Sequence, residues 1–424
     1  MKIRDALSLI DLRLPSGDLA ARQLAACHSI EDLERLARRR LPRSVLDYVN
    51  GGADHELSLA QNTDAIRRWS FTPQVLTDVV QTSTATSVLG HPAAAPFGFA
   101  PTGYTRMISP LGEKAVAAAA GRAGIPYALS TMATTSLEDL AAHAAGRTDL
   151  WFQLYIWRDR RLTQQLIARA SDSGYRVLEV AVDTAVSGLR LRDARNGFTI
   201  PPKLTLASVL DIGTKPKYWT GMLRSPSMEF ANVSAADGPD GGYTIENITK
   251  QFDPSVQWSD LEDIRSRWDG KLVLKGPIGP ADALRAADLG VDALHLSNHG
   301  GRQLDRSIAP IDLVAPVRQA VSDDLGIVVD SGFRHGADIA TAIALGADAA
   351  FVGRPYLWGL VAGGHAGLDT TARLFMDGLR RTMQLLGVRD VAELRRRGPE
   401  LLSTHEARTG LFSDTPYTSV EETL

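Results

Sequence analysis

Residues 291–305 read VDALHLSNHGGRQLD, and the fold prediction starts from this stretch. It begins as an apolar run typical of a buried strand. It leaves that run through Ser297, Asn298 and His299 and then through two glycines, Gly300 and Gly301. In parallel α/β proteins, functional side chains lie where the strands end at their carboxyl edge. The stretch therefore predicts one strand-and-loop unit of a repeated α/β fold, with a site in the loop.

Runs of this kind recur along the chain and alternate with alanine-rich helical patterns such as GADIATAIALG at 336–346. Several helical patterns end on a glycine, as helices commonly do. Eight such pairs predict a closed (β/α)8 barrel, the TIM-barrel fold. The alternative is an open doubly wound sheet, which needs no eight similar units, and no GxGxxG follows the first strand. The predicted strands are 96–100, 127–130, 151–155, 177–183, 271–276, 293–298, 326–332 and 349–355.

The pattern divides the chain into three parts. We predict a helical N-terminal extension over 1–95 packed on the barrel, the barrel itself over 96–390, and a C-terminal tail over 391–424. A long loop, about 190–257, follows the fourth strand, and loops of such length are usually functional. Its basic and aromatic residues indicate either a membrane interface or packing on the barrel or on another subunit. These residues are Lys215, Lys217, Tyr218, Trp219, Met222, Leu223 and Arg224.

Composition excludes several classes of protein. Apolar residues make up 44% of the chain, enough for a large core. The net charge of −3 argues against a nucleic-acid partner, which would need a basic face. A single cysteine, Cys27, excludes a disulfide framework and a multi-cysteine metal site. The N-terminus is interrupted by charges and resembles no signal peptide, so we predict a cytoplasmic protein and leave peripheral membrane contact open.

Polar side chains follow nearly every predicted strand, where a barrel of this type carries its active site. The last two units, DSGFRHG and VGRP, combine glycine amides with two arginines at helix starts, a pattern typical of phosphate binding. The polar residues at strand ends are Gln153, Tyr155, Asp183, Arg190, Lys275, Ser297, His299, Arg302, Asp330, Arg334 and Arg354.

His299 and Arg302 form the most informative pair. A histidine accepts a proton near neutral pH, and an arginine binds a carboxylate through two parallel hydrogen bonds. Asp183 is a candidate to orient the imidazole, as carboxylates do for other catalytic histidines. Lys275 ends a buried strand and needs an anionic partner, which is either a cofactor that gains negative charge or a barrel carboxylate such as Asp330 or Asp183.

The motif SNHGGRQLD resembles the signature of the FMN-dependent L-2-hydroxy acid dehydrogenases and oxidases. The resemblance extends from LPRSVLDYVNGGADHE to RTMQLLGV, and PTGYTRM and PKYWTGML look most like the bacterial quinone-type L-lactate dehydrogenases. It implies oxidation of a small 2-hydroxy acid, with electrons passed to a quinone, a cytochrome or oxygen. It also implies a homo-oligomer, commonly a tetramer.

The resemblance assigns roles by position. It implies that His299 is the base and Asp183 its partner. Arg190 and Arg302 would hold the substrate carboxylate, while Tyr48 and Tyr155 would hydrogen-bond the substrate. The implied cofactor is FMN, with Lys275 beside N1 and O2 of the ring. The implied FMN-binding residues are Pro101, Thr102, Gly103, Ser130, Gln153, Lys275, Ser297, Asp330, Gly332, Arg334, Gly353 and Arg354.

Three positions depart from the common pattern of the family. Ala181 stands where relatives often have threonine, and Met132 where some have tryptophan. Gly103 stands where many oxidases have alanine; a glycine there resembles the mandelate and quinone-linked lactate dehydrogenases, and also lactate monooxygenase, and we favour a dehydrogenase. The alternatives are an oxygen-using oxidase of the same family, an FMN-dependent isomerase, a flavin-free barrel that binds a phosphorylated substrate, and a non-catalytic flavoprotein.

Overall fold

The computed structural model describes residues 18–196, 211–225, 229–233 and 249–404. Parts of three segments named above therefore lie outside the described residues. These parts are residues 1–17 of the N-terminal extension, 197–210, 226–228 and 234–248 of the long loop, and 405–424 of the tail.

Eight parallel strands close into a barrel, which confirms the predicted fold. The last strand of the eight pairs with the first, Phe351 beside Gly98, so the sheet has no free edge. The barrel strands are β4 (Phe97–Phe99), β5 (Tyr127–Ser130), β6 (Leu150–Tyr155), β7 (Val177–Ala181), β8 (Lys271–Gly276), β9 (Ala293–Leu296), β10 (Gly326–Val329) and β11 (Ala349–Val352). Two small sheets lie outside the barrel, built from β1 (Trp69–Phe71), β2 (Thr86–Val88), β3 (His91–Ala93) and β12 (Leu402–Thr404).

Several strands end earlier than predicted. The fourth barrel strand ends at Ala181 rather than at residue 183, and the sixth ends at Leu296 rather than at 298. The chain must turn away from the ladder at the barrel mouth, and His299 and Ser331 do so with positive φ values of 59° and 76°. The polar residues predicted at strand ends therefore stand mostly in the loops immediately after them.

Helices surround the barrel, and their starts follow ordinary capping rules. Ser136 accepts the amide of Asp139 before one helix, and Gly124 ends another in the left-handed conformation. The helices before the barrel are α1 (Leu19–Ala25), α2 (Ile30–Arg40), α3 (Arg43–Asn50) and α4 (Leu57–Arg67). Those within it are α5 (Thr105–Ile108), α6 (Gly112–Ala123), α7 (Leu137–Ala144), α8 (Arg160–Asp172), α9 (Leu191–Arg195), α10 (Pro216–Leu223), α11 (Trp258–Arg267), α12 (Pro280–Asp288), α13 (Pro310–Ala320) and α14 (Gly336–Ala344). Those after it are α15 (Arg354–Leu386), kinked at Gly363 and Gly364, α16 (Val391–Arg396) and α17 (Gly398–Leu401).

The two ends of the described chain meet on the barrel. The apolar side of α2, including Ile30 and Leu33, is buried in the same core as α15. Strand β1 pairs antiparallel with β12, so that Trp69 lies beside Thr404. Segments before and after the barrel therefore pack on it and on each other.

The long connection after β7 contains short helical elements in its described part. It contains α9, α10 and a 3-10 turn over Thr249–Gln251. Helix α10 begins with Pro216 at its first position, where the missing amide hydrogen is not needed. Tyr218 attaches this helix to the barrel, since its hydroxyl donates to the carbonyl of Met107 at 3.0 Å.

Candidate active site

A cavity opens at the carboxyl ends of the barrel strands and contains about 1390 Å³ of empty space, counting its mouth. Most of the residues predicted for the site line this cavity. They are Tyr48, Pro101, Thr102, Gly103, Ser130, Gln153, Tyr155, Arg190, Lys275, His299, Arg302, Asp330, Gly332, Arg334, Gly353 and Arg354.

His299 and Asp183 form a close pair at the mouth. The Nδ1 of His299 lies 3.0 Å from Oδ2 of Asp183, whose side chain is only 4% exposed. An Nδ1–H that donates to the carboxylate leaves Nε2 as the acceptor. Nε2 faces the hydroxyl of Tyr155 at 3.5 Å, and the two rings are stacked. The pair therefore presents Nε2 of His299 as a hydrogen-bond acceptor at the cavity.

Two arginines flank this histidine and share one tyrosine. The guanidinium carbons of Arg302 and Arg190 lie 5.0 and 5.8 Å from the centre of the Tyr48 ring. Arg302 Nη1 donates to the carbonyls of Tyr48 and Gly51, which fixes its orientation. Burial and the neighbouring Arg190 lower the pKa of Arg302 to about 10, so it still carries its charge at neutral pH. Arg190 pairs with Asp193 at 2.9 Å.

Arg334 and Arg354 line the other end of the cavity. Arg354 donates to the carbonyls of Val49, Gly300 and Gly51, each at 2.9 Å. Burial, and then the charges of Arg302 and Arg334, lower the pKa of Arg354 well below its ordinary value. Cations held close together in a buried site are stabilised by an anion. Gly353 lies beside them, and a Cβ there would have its nearest neighbour at 3.6 Å, the Cγ2 of Thr102.

Between these two ends, the cavity is lined by a hydrogen-bond donor of Gln153. Gln153 accepts the hydroxyl of Ser130 at 3.0 Å through Oε1. Its Nε2 is buried and has no hydrogen-bond partner among the described residues. A buried donor without a partner is costly, so a ligand carbonyl is expected there. This donor, the cavity end lined by Arg334 and Arg354, and the open space at Gly353 together fit FMN, the cofactor that the resemblance implies.

Lys275 has protein partners in the barrel interior. Its Nζ lies 3.2 Å from Oε1 of Glu179 and 3.3 Å from Oδ2 of Asp330. Of the two carboxylates proposed above as partners, Asp330 is in contact with it and Asp183 is not. Glu179 and a neighbouring His295 were not expected in the site, because they stand inside the apolar-looking runs VLEVAVD and ALHLSN. Glu179 and His295 stand two residues before Ala181 and Ser297, so each lies on the same face of its strand as that residue. This alternation is the signal in the sequence that identifies them as facing the barrel interior.

Ser297, predicted beside the flavin ring, supports the loop that follows β9. It is fully buried and is not among the residues that line the cavity. Its Oγ accepts the amide of His299 at 3.0 Å and so holds the turn that carries the histidine. Glu113, also missed, holds the loops around Thr105 and Thr134, where its Oε1 accepts both amides.

Comparisons with known proteins agree with this geometry. The family described as FMN-dependent dehydrogenase matches residues 37–401. A Mycobacterium tuberculosis protein provisionally named L-lactate dehydrogenase is 45% identical over 407 residues, which cover 94% of this chain and 97% of that one. The (S)-mandelate dehydrogenase of Pseudomonas putida is 37% identical over 86% of this chain and 92% of its own length. A crystal structure of the monotopic membrane protein (S)-mandelate dehydrogenase has a TM-score of 0.84 at 37% identity and covers 90% of this chain and 100% of that one.

Proposed function

The chain belongs to the FMN-dependent dehydrogenases, a family of FMN-dependent 2-hydroxy acid oxidoreductases, and from this premise we propose its substrate, acceptor and residue roles. The substrate is an L-2-hydroxy acid of lactate or mandelate size, oxidised to the 2-oxo acid. The electrons pass to a quinone or a cytochrome. The observation that carries the proposal is the His299–Asp183 pair at 3.0 Å, beside two arginines in one cavity.

His299 accepts the substrate proton at Nε2. Asp183 stabilises the resulting imidazolium through Nδ1, as a buried carboxylate does for other catalytic histidines. Bound FMN supplies the two-electron acceptor. Burial, and then the nearby Asp183, raise the pKa of Tyr155, so its hydroxyl stays protonated and donates to the substrate.

The substrate carboxylate binds between Arg302 and Arg190. Arg302 is held by two backbone carbonyls, so little side-chain freedom is lost when the anion arrives. A carboxylate also offsets the repulsion between two neighbouring guanidinium groups. Specificity for 2-hydroxy acids follows because the carboxylate fixes the adjacent hydroxyl carbon beside His299.

Anaerobic flavin reduction tests the substrate assignment. The purified holoenzyme is mixed with L-lactate, glycolate or L-mandelate, and flavin absorbance is followed by stopped flow. We expect bleaching by at least one L-acid and none by its D-isomer. Absence of bleaching with every acid would contradict the proposal.

Reoxidation of the reduced enzyme separates the acceptors. Gly103 favours a dehydrogenase, so we expect a soluble quinone analogue or a cytochrome to restore the absorbance faster than dissolved oxygen does. Faster reoxidation by oxygen would identify an oxidase. The cytoplasmic location and the homo-oligomeric state stay predictions from sequence, and the oligomer is measured by light scattering.

We also propose peripheral contact with a membrane through α10. Trp219 and Leu223 lie four residues apart on one side of this helix and are 38% and 77% exposed. Burial raises the pKa of Tyr218 to about 12, which agrees with its packing against the barrel. Lys217 and Arg224 beside the exposed pair are themselves exposed and suit anionic headgroups. None of the described helices is long and apolar enough to cross a bilayer.

Vesicle sedimentation tests this contact. The double variant Trp219→Ser/Leu223→Ser is expected to lose binding to vesicles of anionic phospholipid, since it removes the apolar surface that enters the interface. Leu385→Ser is the matched control, because Leu385 is 70% exposed on α15. Equal binding by the double variant and the wild type would refute the contact.

A further inference from the structure

Two ionisable residues are buried in the barrel without a part in the proton transfer. Glu179 on β7 and His295 on β9 both have fully buried side chains. His295 packs edge-on against Phe351, with 5.3 Å between the ring centres. Phe351 lines the active-site cavity, so the pair lies directly beneath it.

These two residues close a ring of charges with Lys275 and Asp330. His295 Nδ1 lies 2.8 Å from Oε2 of Glu179, and its Nε2 lies 3.3 Å from Oδ2 of Asp330. Lys275 Nζ lies 3.2 Å from the other oxygen of Glu179 and 3.3 Å from Oδ2 of Asp330. Each cation therefore contacts both carboxylates.

Both ring nitrogens of His295 face carboxylate oxygens, so the imidazole is placed to donate from both, as only its charged form does, and Lys275 lies between the same two carboxylates. Burial acts against the charge of Lys275 and of His295, but the two carboxylates outweigh it and raise both pKa values. Burial likewise acts against the carboxylates, but Lys275 and His295 outweigh it and lower the pKa of Glu179 and of Asp330. The ring thus has two positive and two negative charges and no net charge. Asp183 is a further, more distant charge that acts on Lys275.

Burying four charged groups costs more desolvation free energy than filling a barrel interior with apolar side chains. Branched apolar side chains normally fill these layers. Replacement of a buried ion pair by apolar residues is often neutral or stabilising, so stability alone does not account for Glu179 and His295. Their distinguishing property is the electric field that they impose on Lys275 and Asp330, both of which line the cavity.

We propose that Glu179 and His295 are positioning residues that set the reduction potential of the bound FMN by fixing the net charge beneath it. The inference rests on the proposed function in one respect, the placement of Lys275 beside the flavin. A flavin gains negative charge on reduction, and fixed charges in a dry site act strongly on it.

The signs of the expected shifts follow from charge counting. Loss of the Glu179 charge leaves a net charge of +1, which favours the reduced flavin and raises the potential. Loss of the His295 charge leaves −1 and lowers it. Loss of both restores neutrality and returns the potential toward that of the wild type. Damage to packing would shift the two single variants in the same direction.

The test measures the FMN potential of purified holoenzymes by anaerobic equilibration with a reference dye. Glu179→Gln and His295→Gln are compared with the double variant Glu179→Val/His295→Val. We expect each single variant to change the ratio of reduced to oxidised flavin about tenfold, in opposite directions, or about 30 mV for a two-electron couple. The double variant is expected near the wild-type value. Glu400→Gln is the surface control and leaves the potential unchanged, since Glu400 is 67% exposed.

Lys275→Met separates failure of this inference from failure of the proposed placement. A shifted potential in Lys275→Met, with unchanged or same-sign potentials in the two glutamine variants, overturns the inference and leaves the placement standing. An unchanged potential in Lys275→Met overturns both. Glu179→Met and His295→Met replace any glutamine variant that does not fold, and the same signs are required of them.

Discussion

At the scale of single residues, His299 has a strained backbone conformation that neighbouring side chains hold in place. Its φ of 59° lies in the left-handed region, which costs a non-glycine residue on the order of 1–3 kcal/mol. Ser297 accepts its amide and Asp183 contacts its ring, so two hydrogen bonds hold the conformation. The strained turn is therefore what aims Nε2 at the cavity.

The variant His299→Gln is expected to retain FMN but to lose substrate-dependent flavin reduction by at least about 100-fold, the scale of general base catalysis. Glutamine is polar and similar in length but does not take up a proton at neutral pH. Stopped-flow absorbance measures the loss, and His91→Gln is the control because His91 is exposed on β3. Reduction at the wild-type rate would refute the base assignment.

The variant Arg302→Met is expected to weaken binding of carboxylate inhibitors by about 10- to 100-fold. Removal of a charge-assisted hydrogen bond costs about 1.5–3 kcal/mol, and Arg190 remains to hold part of the anion. Titration of the flavin spectrum with oxalate measures the affinity. Arg306→Met serves as the control, since Arg306 belongs to the same loop but is exposed and does not line the cavity. Unchanged oxalate affinity in Arg302→Met would remove this arginine from the clamp.

A recognisable motif or the end of an apolar run marks a candidate site residue in the sequence, whereas a polar residue inside such a run is marked only by its inward-facing position. Lys275 and Asp330 were found because each ends an apolar run. Glu179 and His295 were hidden because they stand within such runs, and only the barrel brings Lys275, Asp330 and this pair into contact. The sequence also does not reveal that Ser297 holds the turn at His299, because that hydrogen bond depends on the local φ.

At the scale of secondary structure, the alternation of runs predicted every barrel strand, and the errors lie at strand ends. Pairing stops where the chain turns into a functional loop, and the turn residues still look like strand in sequence. The connection after β7 was predicted only as one long loop, and helix α10 was not distinguished within it. Its helix instead begins at Pro216 and is attached to the barrel through Tyr218.

The contact between α2 and the start of α14 predicts a pH dependence of stability. A hydrogen bond from His335 lowers the pKa of Glu31 to about 2, and the same bond raises the pKa of His335 above its ordinary value of 6.5. The His335 contribution is complete below 6.5 and is lost as pH rises through its raised pKa. The Glu31 contribution is complete above 4.5 for as long as His335 is protonated, and it is lost as pH falls through about 2.

Glu31→Gln is therefore expected to lower Tm near pH 5.5 and to have little effect near pH 9. The pair is half exposed, so the difference in free energy of unfolding is at most about 1 kcal/mol. Thermal unfolding at both pH values measures it, with Glu138→Gln as a control that removes a carboxylate from an Arg169 pair rather than a histidine pair. An equal loss of Tm at both pH values would contradict the titration of His335.

At the scale of the whole molecule, the barrel is closed by its own ladder, yet the elements before and after it complete the site. Val49 and Gly51, from the N-terminal helical segment, accept hydrogen bonds from Arg354 at the end of the cavity that it lines with Arg334. Gly52 and Gly301 approach closely, and a Cβ on Gly52 would lie 2.8 Å from the carbonyl of Gly301. The active site is thus shared between the barrel and the segment that precedes it.

The C-terminal elements hold this preceding segment in place, and a pair of truncations tests their contribution. A chain that ends at Arg397 loses α17 and β12, and with them the pairing of β1 and the buried side chain of Leu401. Loss of one buried leucine alone costs about 2–5 kcal/mol. A chain that ends at Thr404 keeps all of these contacts and is the matched control.

We expect the shorter chain to unfold at lower temperature and to release FMN more readily, because β1 follows α4 directly and the N-terminal segment carries Val49 and Gly51. Fluorescence of released FMN during heating reports both events. Identical transitions in the two truncated chains would show that β12 contributes nothing to the closure, and that the N-terminal segment is held by its contact with α15 instead.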